Sequence, residues 1–310
     1  MKGQPEVNEL TMSKLALLGD EGRAWREGLA EAVACFEREW GIEIGEPLPG
    51  GTAAFVATAS TTDGAEAVFK LAIPDLPDTD GHFLRELRAV QLGQGRGYVQ
   101  LLAFDADRNA MLQERLGRPL GMLGLSIDEQ IDSLVTTVVP SWQPDRSPFR
   151  WKTGADQASG LREFVRDRWE MLERPCPERV IERAEECASH IEEMFDVATA
   201  VVIHADAHPF NLMEAPGGGF RATDPDAMLS HPAHELGIVL RDWSEHLGTV
   251  DARARVRGWC DDLGDRCATR SAEIWEWAFL ERVSSGLYLL ELGHASGKAF
   301  LAVADVLAPR

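Results

Sequence analysis

The sequence is poor in basic residues, and lysine is the scarcest of them, with only five in the chain. Lysine and arginine together number 31 among 310 residues, against 51 aspartates and glutamates, which gives a formal net charge of −20. Proteins that bind nucleic acid or anionic membrane surfaces neutralise phosphate groups with basic side chains. We therefore expect neither kind of partner, and we expect a cationic small molecule to be attracted.

Cysteine is also sparse and shows no disulfide or zinc-binding pattern. The five residues are Cys35, Cys176, Cys187, Cys260 and Cys267. Their number is odd and none of them forms a C-x-x-C pair, whereas disulfide scaffolds and zinc modules use paired, regularly spaced cysteines. We interpret them as reduced structural thiols.

Long apolar runs are missing as well. No stretch approaches the roughly 18 residues that a transmembrane helix needs. The N-terminal segment MKGQPEVNEL lacks the apolar segment of a secretory signal. These absences predict a cytoplasmic protein, and the 45% hydrophobic content is ordinary for a globular chain.

The sequence does contain a dense group of ligand-type side chains in HADAHPFNL, residues 204–212. If this segment were a strand, His204, Asp206 and His208 would project from one face and could bind zinc or manganese. Such a site would be typical of a metal-dependent hydrolase. Further ligands for it could come from Asp224, His231 or His234.

The same segment also fits phosphoryl transfer. Asp206 and Asn211 have the D-x-x-x-x-N spacing of kinase loops, in which the aspartate takes the proton of the attacking hydroxyl and the asparagine binds magnesium. TAVVI before this loop and FRATD after it predict two short strands joined by an APGGG turn. A hairpin there would bring Asp224 beside Asn211. An amide and a carboxylate oxygen suit Mg²⁺, which keeps several water ligands.

Strand patterns dominate the first 117 residues. LPGGTAAFVATAS and AEAVFKLAIP predict two strands joined by TTDG, and YVQLLAFDADRNAMLQERLG predicts two more. Lys70 interrupts an apolar strand, where a half-buried lysine needs an anion, and Glu86 lies beside the apolar stripe of a predicted helix. The alternatives are an exposed edge-strand lysine and a solvated helix glutamate. Gly50 and Gly51 could bring backbone N–H groups to a phosphate, or simply form a turn.

Helical patterns precede and follow these strands. A helix is predicted over residues 20–40, with Asp20 as its N-cap and Gly41 at its end. Beyond Gly117 helices are predicted near residues 126–138, 158–173 and 177–195. We predict an α+β fold with a strand-rich N-lobe, residues 1–117, and a mostly helical C-lobe, residues 118–310.

The joint order of the candidate residues favours a bilobal kinase. The chain also resembles the aminoglycoside phosphotransferase family, which has a protein-kinase-like fold, along nearly its whole length. The resemblance begins with LGDEGRAWREGLAEAV and WGIEIGEPLPGGTAAFVA and is most specific in the HADAHPFNL loop. It is closest to the branch that contains streptomycin and hydroxyurea phosphotransferases.

The resemblance implies a kinase that uses ATP and Mg²⁺ to phosphorylate a hydroxyl of a small molecule, such as streptomycin or a related amino sugar, and so inactivates the antibiotic. Asp206 would be the catalytic base, and Asn211 and Asp224 would bind Mg²⁺. Lys70 would bind the α- and β-phosphates, braced by Glu86. The glycine-rich turn of Gly50, Gly51 and Thr52 would cover the phosphates. The hinge, whose backbone would contact adenine, would be formed by Glu114, Arg115 and Leu116. His204 would be architectural.

Acceptor recognition is the least constrained expectation. The carboxylates that could hold a cationic acceptor, or could equally be solvated helix charges, are Asp226, Glu235, Asp242, Glu281 and Glu291. Ala205 and Ala207 stand where the family usually has a glycine and a larger apolar residue, and Asp226 adds negative charge beside the expected metal. These departures leave a catalytically weak, nucleotide-binding pseudokinase as an alternative.

Overall fold

The computed structural model describes residues 5–49, 53–75 and 81–309, so the predicted phosphate contacts at Gly50, Gly51 and Thr52 lie outside the described residues. The chain divides into two compact units. Unit 1 consists of Met1–Gly117 and Glu214–Arg221, and unit 2 consists of Arg118–Met213 and Ala222–Arg310. The functions predicted for residues 1–117 and 118–310 stay predictions.

Unit 1 is built on a five-stranded antiparallel sheet with the order β1-β2-β3-β5-β4. Its strands are β1 (Ile42–Pro47), β2 (Ala54–Thr61), β3 (Glu66–Ala72), β4 (Leu101–Asp105) and β5 (Ala110–Glu114). Its helices are α1 (Glu9–Leu17), α2 (Gly19–Trp40) and α3 (His82–Gly93). Because β3 lies between β2 and β5, a side chain on β3 is on a central strand and not on an edge.

The predicted leading helix is present as α2. Its apolar stripe, which includes Leu29 and Phe36, packs with Phe69 of the sheet in one core cluster, and full burial of such a side chain is worth about 2 kcal/mol. The helix ends at Gly41, whose φ of 62° is the left-handed conformation that glycine adopts without strain. The predicted N-cap at Asp20 is wrong, because α2 follows directly on α1 and already begins at Gly19.

The rest of the chain is mostly helical. Its helices are α4 (Ile127–Val138), α5 (Gly154–Met171), α6 (Glu178–Met194), α7 (Pro232–Arg241), α8 (Ser244–Leu247), α9 (Ala252–Cys267), α10 (Ser271–Glu291) and α11 (Gly297–Leu307). Its strands are β6 (Val201–Ile203), β7 (Leu212–Glu214), β8 (Phe220–Ala222) and β9 (Met228–Ser230). Across the residues that the structure describes, no helix is long and apolar enough to cross a membrane.

The short strands pair differently from the prediction. The TAVVI segment forms β6, which pairs antiparallel with β9, and not with the FRATD segment. FRATD contains β8, which pairs with β7. The hairpin therefore consists of β7 and β8, and it begins directly after Asn211 and ends two residues before Asp224.

Helices α7 and α10 pack closely at Gly237. A Cβ atom built on Gly237 would lie 2.5 Å from Cβ of Trp277 and 2.7 Å from the backbone nitrogen of Ala278, closer than real Cβ contacts come. The two helices can approach this closely only because position 237 has no side chain. Since α7 carries Glu235 and Arg241, this packing sets where their side chains lie relative to α10.

Candidate active site

The HADAHPFNL segment is a loop that begins where β6 ends at Ile203. Both carboxylate oxygens of Glu235 hold its start: they accept hydrogen bonds from the backbone N–H groups of His204 at 2.5 Å and Ala205 at 3.1 Å. Ala205 has a φ of 65°, a conformation that costs a residue with a side chain roughly 1 kcal/mol. This backbone geometry explains why glycine is the residue expected at position 205.

His204 is fully buried and both of its ring nitrogens are engaged. Nε2 lies 2.9 Å from the carbonyl oxygen of Thr223, and Nδ1 accepts the backbone N–H of Asp206 at 3.2 Å. Burial lowers the pKa of this imidazole, so the ring is neutral and donates from Nε2. The geometry suits the architectural role that we expected for His204.

Asp206 is held on both carboxylate oxygens. Oδ1 accepts from Nη2 of Arg241 at 2.5 Å. Oδ2 accepts from Nδ2 of Asn211 at 3.0 Å and lies 3.5 Å from Nε2 of His208. Burial alone would raise the pKa of this carboxyl, but the charges and hydrogen bonds of Arg241 and His208 together outweigh burial and hold that pKa well below its usual range. Asp206 is therefore an ionised carboxylate with a fixed orientation.

Arg241 was not among the residues predicted from the sequence. Its guanidinium also lies near two further carboxylates: Nη1 is 3.6 Å from Oε2 of Glu281, and Nε is 3.5 Å from Oδ1 of Asp242. Glu281 in turn lies 3.2 Å from Nε2 of His234. Asp206 and Glu281 are far from Arg241 in the sequence, and no local pattern links them to it.

Asn211 joins the loop to the β7–β8 hairpin. Its backbone carbonyl accepts the N–H of Thr223 at 2.8 Å, which places Asp224 next along the chain. Its Nδ2 also donates to the backbone carbonyl of Asp206 at 3.1 Å. Because the amide nitrogen is used within the loop, the ligand-type atom of this side chain is Oδ1. An amide oxygen together with the exposed carboxylate of Asp224 is a donor set that fits Mg²⁺.

Lys70 and Glu86 form a buried ion pair in unit 1. Nζ of Lys70 on β3 lies 2.5 Å from Oε1 of Glu86 on α3, and the two side chains are 10% and 1% exposed. An edge-strand lysine and a solvated glutamate are therefore excluded as explanations.

Of the predicted hinge residues, Glu114 uses its side chain within unit 1. Its Oε1 accepts hydrogen bonds from the backbone N–H of Gln100 and from Nη1 of Arg221.

A model of the phosphotransferase enzyme family matches residues 60–270. The chain belongs to this family. Streptomycin 6-kinase of Streptomyces griseus is 27% identical over 293 residues, which cover 94% of this chain and 92% of that protein. Hydroxyurea phosphotransferase of Kitasatospora aureofaciens is 29% identical over 231 residues, which cover 74% of this chain and 65% of that protein. The predicted resemblance is confirmed.

Among solved structures, a thermostable mutant of the aminoglycoside phosphotransferase APH(4)-Ia, in ternary complex with ADP and hygromycin B, is similar to this phosphotransferase. The TM-score is 0.58 at 10% identity, and the match covers 90% of this chain and 99% of that chain. The predicted protein-kinase-like fold is confirmed, with a strand-rich first part and a mostly helical remainder. The chain is a small-molecule phosphotransferase.

The hydrolase hypothesis has no support in this phosphotransferase. Residues 204–208 form a loop and not a strand, so their alternation does not put them on one face. Within the described ranges, no group of three or more His, Cys, Asp and Glu side chains could hold a metal ion. His234 has both ring nitrogens engaged, with Ser230 at 3.0 Å and Glu281 at 3.2 Å.

The predicted acceptor carboxylates of the phosphotransferase fall into two groups. Glu235 and Glu281 are buried and bound to protein partners, whereas Glu291 pairs with Arg168 at 2.8 Å. Asp226 is exposed, and the side chain of Asp242 is 34% exposed. Of these five, the two near the loop whose side chains reach solvent are Asp226 and Asp242, although Oδ1 of Asp242 also lies 3.5 Å from Arg241.

Proposed function

We propose that this phosphotransferase transfers the γ-phosphoryl group of ATP to a hydroxyl of a small molecule, and that the acceptor is a cationic amino sugar of the streptomycin class. The observation that carries the proposal is the Asp206 carboxylate, which is ionised and held in one orientation by Arg241 and Asn211. Phosphoryl transfer asks the protein chiefly for positioning and for charge stabilisation. A fixed carboxylate at the start of a D-x-x-x-x-N loop supplies the first of these.

In the proposed reaction, Asp206 accepts a hydrogen bond from the acceptor hydroxyl and aligns it for in-line attack. The new bond joins the acceptor oxygen to the γ-phosphorus, and the bond between that phosphorus and the β–γ bridging oxygen breaks, releasing ADP. The hydroxyl proton passes to Asp206. Because a carboxylate with so low a pKa is a weak base, this proton moves late, when the O–P bond has largely formed.

The metal and the nucleotide have their own proposed residues. Asn211 and Asp224 would hold Mg²⁺, which when bound neutralises charge on the transferring phosphate oxygens. Lys70 would bind the α- and β-phosphates, and its buried pairing with Glu86 supports this role because it fixes the ammonium group. The contacts assigned to Arg115 and Leu116 and to the glycine-rich turn stay proposals.

The acceptor class rests on charge. The chain has a net charge of −20, and Asp226 and Asp242 offer accessible carboxylates near the loop. Aminoglycosides carry cationic groups that such carboxylates can bind, whereas hydroxyurea is uncharged. We do not assign Glu235 or Glu281 to the acceptor, because their oxygens are committed within the protein.

The test is a screen for acceptor-dependent ADP release with ATP and Mg²⁺ across streptomycin, other aminoglycosides, hydroxyurea and small hydroxyl compounds. We expect turnover with a cationic amino sugar. The variant Asp206→Asn tests the role of the carboxylate. It should bind ATP normally and lose on the order of 10² to 10⁴ in kcat, the range for a missing general base. ATP binding without ADP release for any acceptor would instead support the pseudokinase alternative.

A further inference from the structure

Asp206 must be held at a fixed angle if it is to align a hydroxyl, and its surroundings show how this is done. A carboxylate offers about four lone pairs. Arg241 takes one on Oδ1, and Asn211 takes one on Oδ2. Because both oxygens accept hydrogen bonds, the carboxylate cannot rotate freely about its Cβ–Cγ bond.

Arg241 is itself held from several sides within unit 2. It is the last residue of α7, where a cation interacts favourably with the helix dipole, and its side chain is 16% exposed. Its guanidinium reaches Asp206 by Nη2, Glu281 by Nη1 and Asp242 by Nε. Each of the three nitrogen atoms therefore lies near a different carboxylate.

Glu281, the α10 partner, is supported by a further layer. Its side chain is 6% exposed, and it lies 3.2 Å from the fully buried ring of His234. That ring stacks on Trp277 with centroids 3.5 Å apart, and its other nitrogen is 3.0 Å from Oγ of Ser230. The contacts run without a break from Trp277 to Asp206.

Fold stability does not explain this arrangement. A buried ion pair contributes little net stability, since desolvation of the charges offsets their attraction, and apolar replacements are often neutral. In contrast, a misplacement of about 1 Å in a reacting group can cost on the order of 10² in rate. We infer that Arg241 is a positioning residue for phosphoryl transfer, which fixes the Asp206 carboxylate, and that Glu281 and His234 fix Arg241. This inference rests on the proposed function.

The test measures kcat and both KM values for Arg241→Met and Arg241→Lys. We expect Arg241→Met to lower kcat by roughly 10² at saturating ATP and acceptor, since orientation is lost, while KM for ATP changes less than about threefold. Lysine keeps the charge but not the planar fork, so Arg241→Lys should recover only part of the loss, leaving about a tenfold deficit. Glu281→Gln should lower kcat by about tenfold, because Arg241 is then held less firmly and the Asp206 carboxylate with it.

A double-mutant cycle separates positioning from a purely structural role. If Arg241 acts through Asp206, Arg241→Met should cost less than about threefold when added to Asp206→Asn, because the oriented group is already gone. Arg255→Met is the matched control: it removes another arginine of unit 2 that pairs with a carboxylate, that of Asp128 at 2.6 Å. Its kcat should equal that of the wild type.

The outcomes are distinguishable. A folded Arg241→Met protein that keeps kcat within about threefold of the wild type overturns the inference, as does an equal additional loss in the Asp206→Asn background. If the methionine variant does not fold, the same cycle run with Arg241→Lys and Glu281→Gln decides the matter. If the wild type releases no ADP with any acceptor, the proposed function fails and the inference fails with it.

Discussion

Glu235 is a fully buried carboxyl group whose charge state matters to the loop that it holds. Burial raises its pKa to about 7, although the backbone N–H groups of His204 and Ala205 act in the opposite direction. In the ionised form both oxygens can accept these hydrogen bonds; in the protonated form one oxygen carries a proton. The group therefore changes charge in the range where many enzymes are assayed.

The raised pKa gives a signed prediction for stability. Because the folded protein binds the Glu235 proton more tightly than the unfolded chain does, with pKa values of about 7 and 4.5, this group's contribution to the free energy of unfolding falls as pH rises between them. Integrated over that window, the fall is roughly 3 kcal/mol. Glu235→Gln lacks this titration and serves as the reference.

Urea unfolding of both proteins at pH 5, 6 and 7.5 measures the effect. The difference in free energy of unfolding, wild type minus Glu235→Gln, should be more positive at pH 5 than at pH 7.5. A difference that stays constant with pH would show that the buried carboxyl has an ordinary pKa, and a difference that grows as pH rises would show that its pKa is lowered; either result contradicts the prediction.

Single residues differ in how well their surroundings can be predicted from sequence. Lys70 and Asp206 have local signals: a lysine inside an apolar strand and a five-residue spacing to Asn211. Arg241 has none, since its partner Asp206 is 35 residues away in the sequence and the contact depends on how α7 packs. The burial of Glu235 was not predictable for the same reason. A glutamate on a helix is usually solvated, and only the packing of α7 turns this one inward.

At the scale of elements, the pairing of β3 with α3 through Lys70 and Glu86 permits a test that separates stability from nucleotide binding. Lys70→Met removes the ammonium group that pairs with the buried carboxylate of Glu86. Such a change lowers the free energy of unfolding by about 3 to 5 kcal/mol, which is large for a single substitution. The variant should therefore melt at a lower temperature and show a raised KM for ATP.

The double variant Lys70→Met/Glu86→Gln distinguishes the two effects. Replacing the Glu86 carboxylate by an amide should reverse much of the fall in melting temperature, because the buried negative charge is gone. If Lys70 binds phosphates, KM for ATP should stay raised in the double variant. Recovery of both quantities together would mean that Lys70 serves only the fold of unit 1.

The positions of the long elements were predictable, whereas the pairing of the short strands was not. The helix at residues 127–138 has several apolar turns, and its periodicity placed it correctly. Helix α5 begins at Gly154, four residues before its predicted start, because Thr153 and Asp156 form a capping box. Strands β6 to β9 have three residues each, too few for an alternating pattern to define which strands pair.

At the scale of the whole molecule, the net charge of −20 makes a prediction about the acceptor. Attraction between exposed charges is screened beyond roughly 8 Å at physiological ionic strength. If the acceptor is a cationic amino sugar, its KM should rise with added salt by a larger factor than KM for ATP does.

Steady-state kinetics from low to high sodium chloride, with hydroxyurea as the uncharged comparison where it is turned over, supply the measurement. An acceptor KM that does not change with salt would indicate an uncharged hydroxyl substrate. The surplus carboxylates would then serve solubility alone.

The fold class was predictable at this scale because the hydrophobic pattern changes near Gly117, from that of strands to that of helices. The assignment did not depend on any single motif. The identity of the acceptor was not predictable, since the candidate carboxylates are spread over distant segments, and only their folded positions separate Asp226 and Asp242 from the buried Glu281.

The missing side chain at Gly237 bears on how selection experiments with this enzyme should be read. A library screened for a wider range of acceptors will contain alanine or serine at this position, and either side chain would push α7 away from α10. Such clones would lose activity with every acceptor alike, because the change acts on the packing of α7 against α10. A deep-sequencing profile would score the position as strictly intolerant, and that intolerance would report helix spacing and not acceptor recognition.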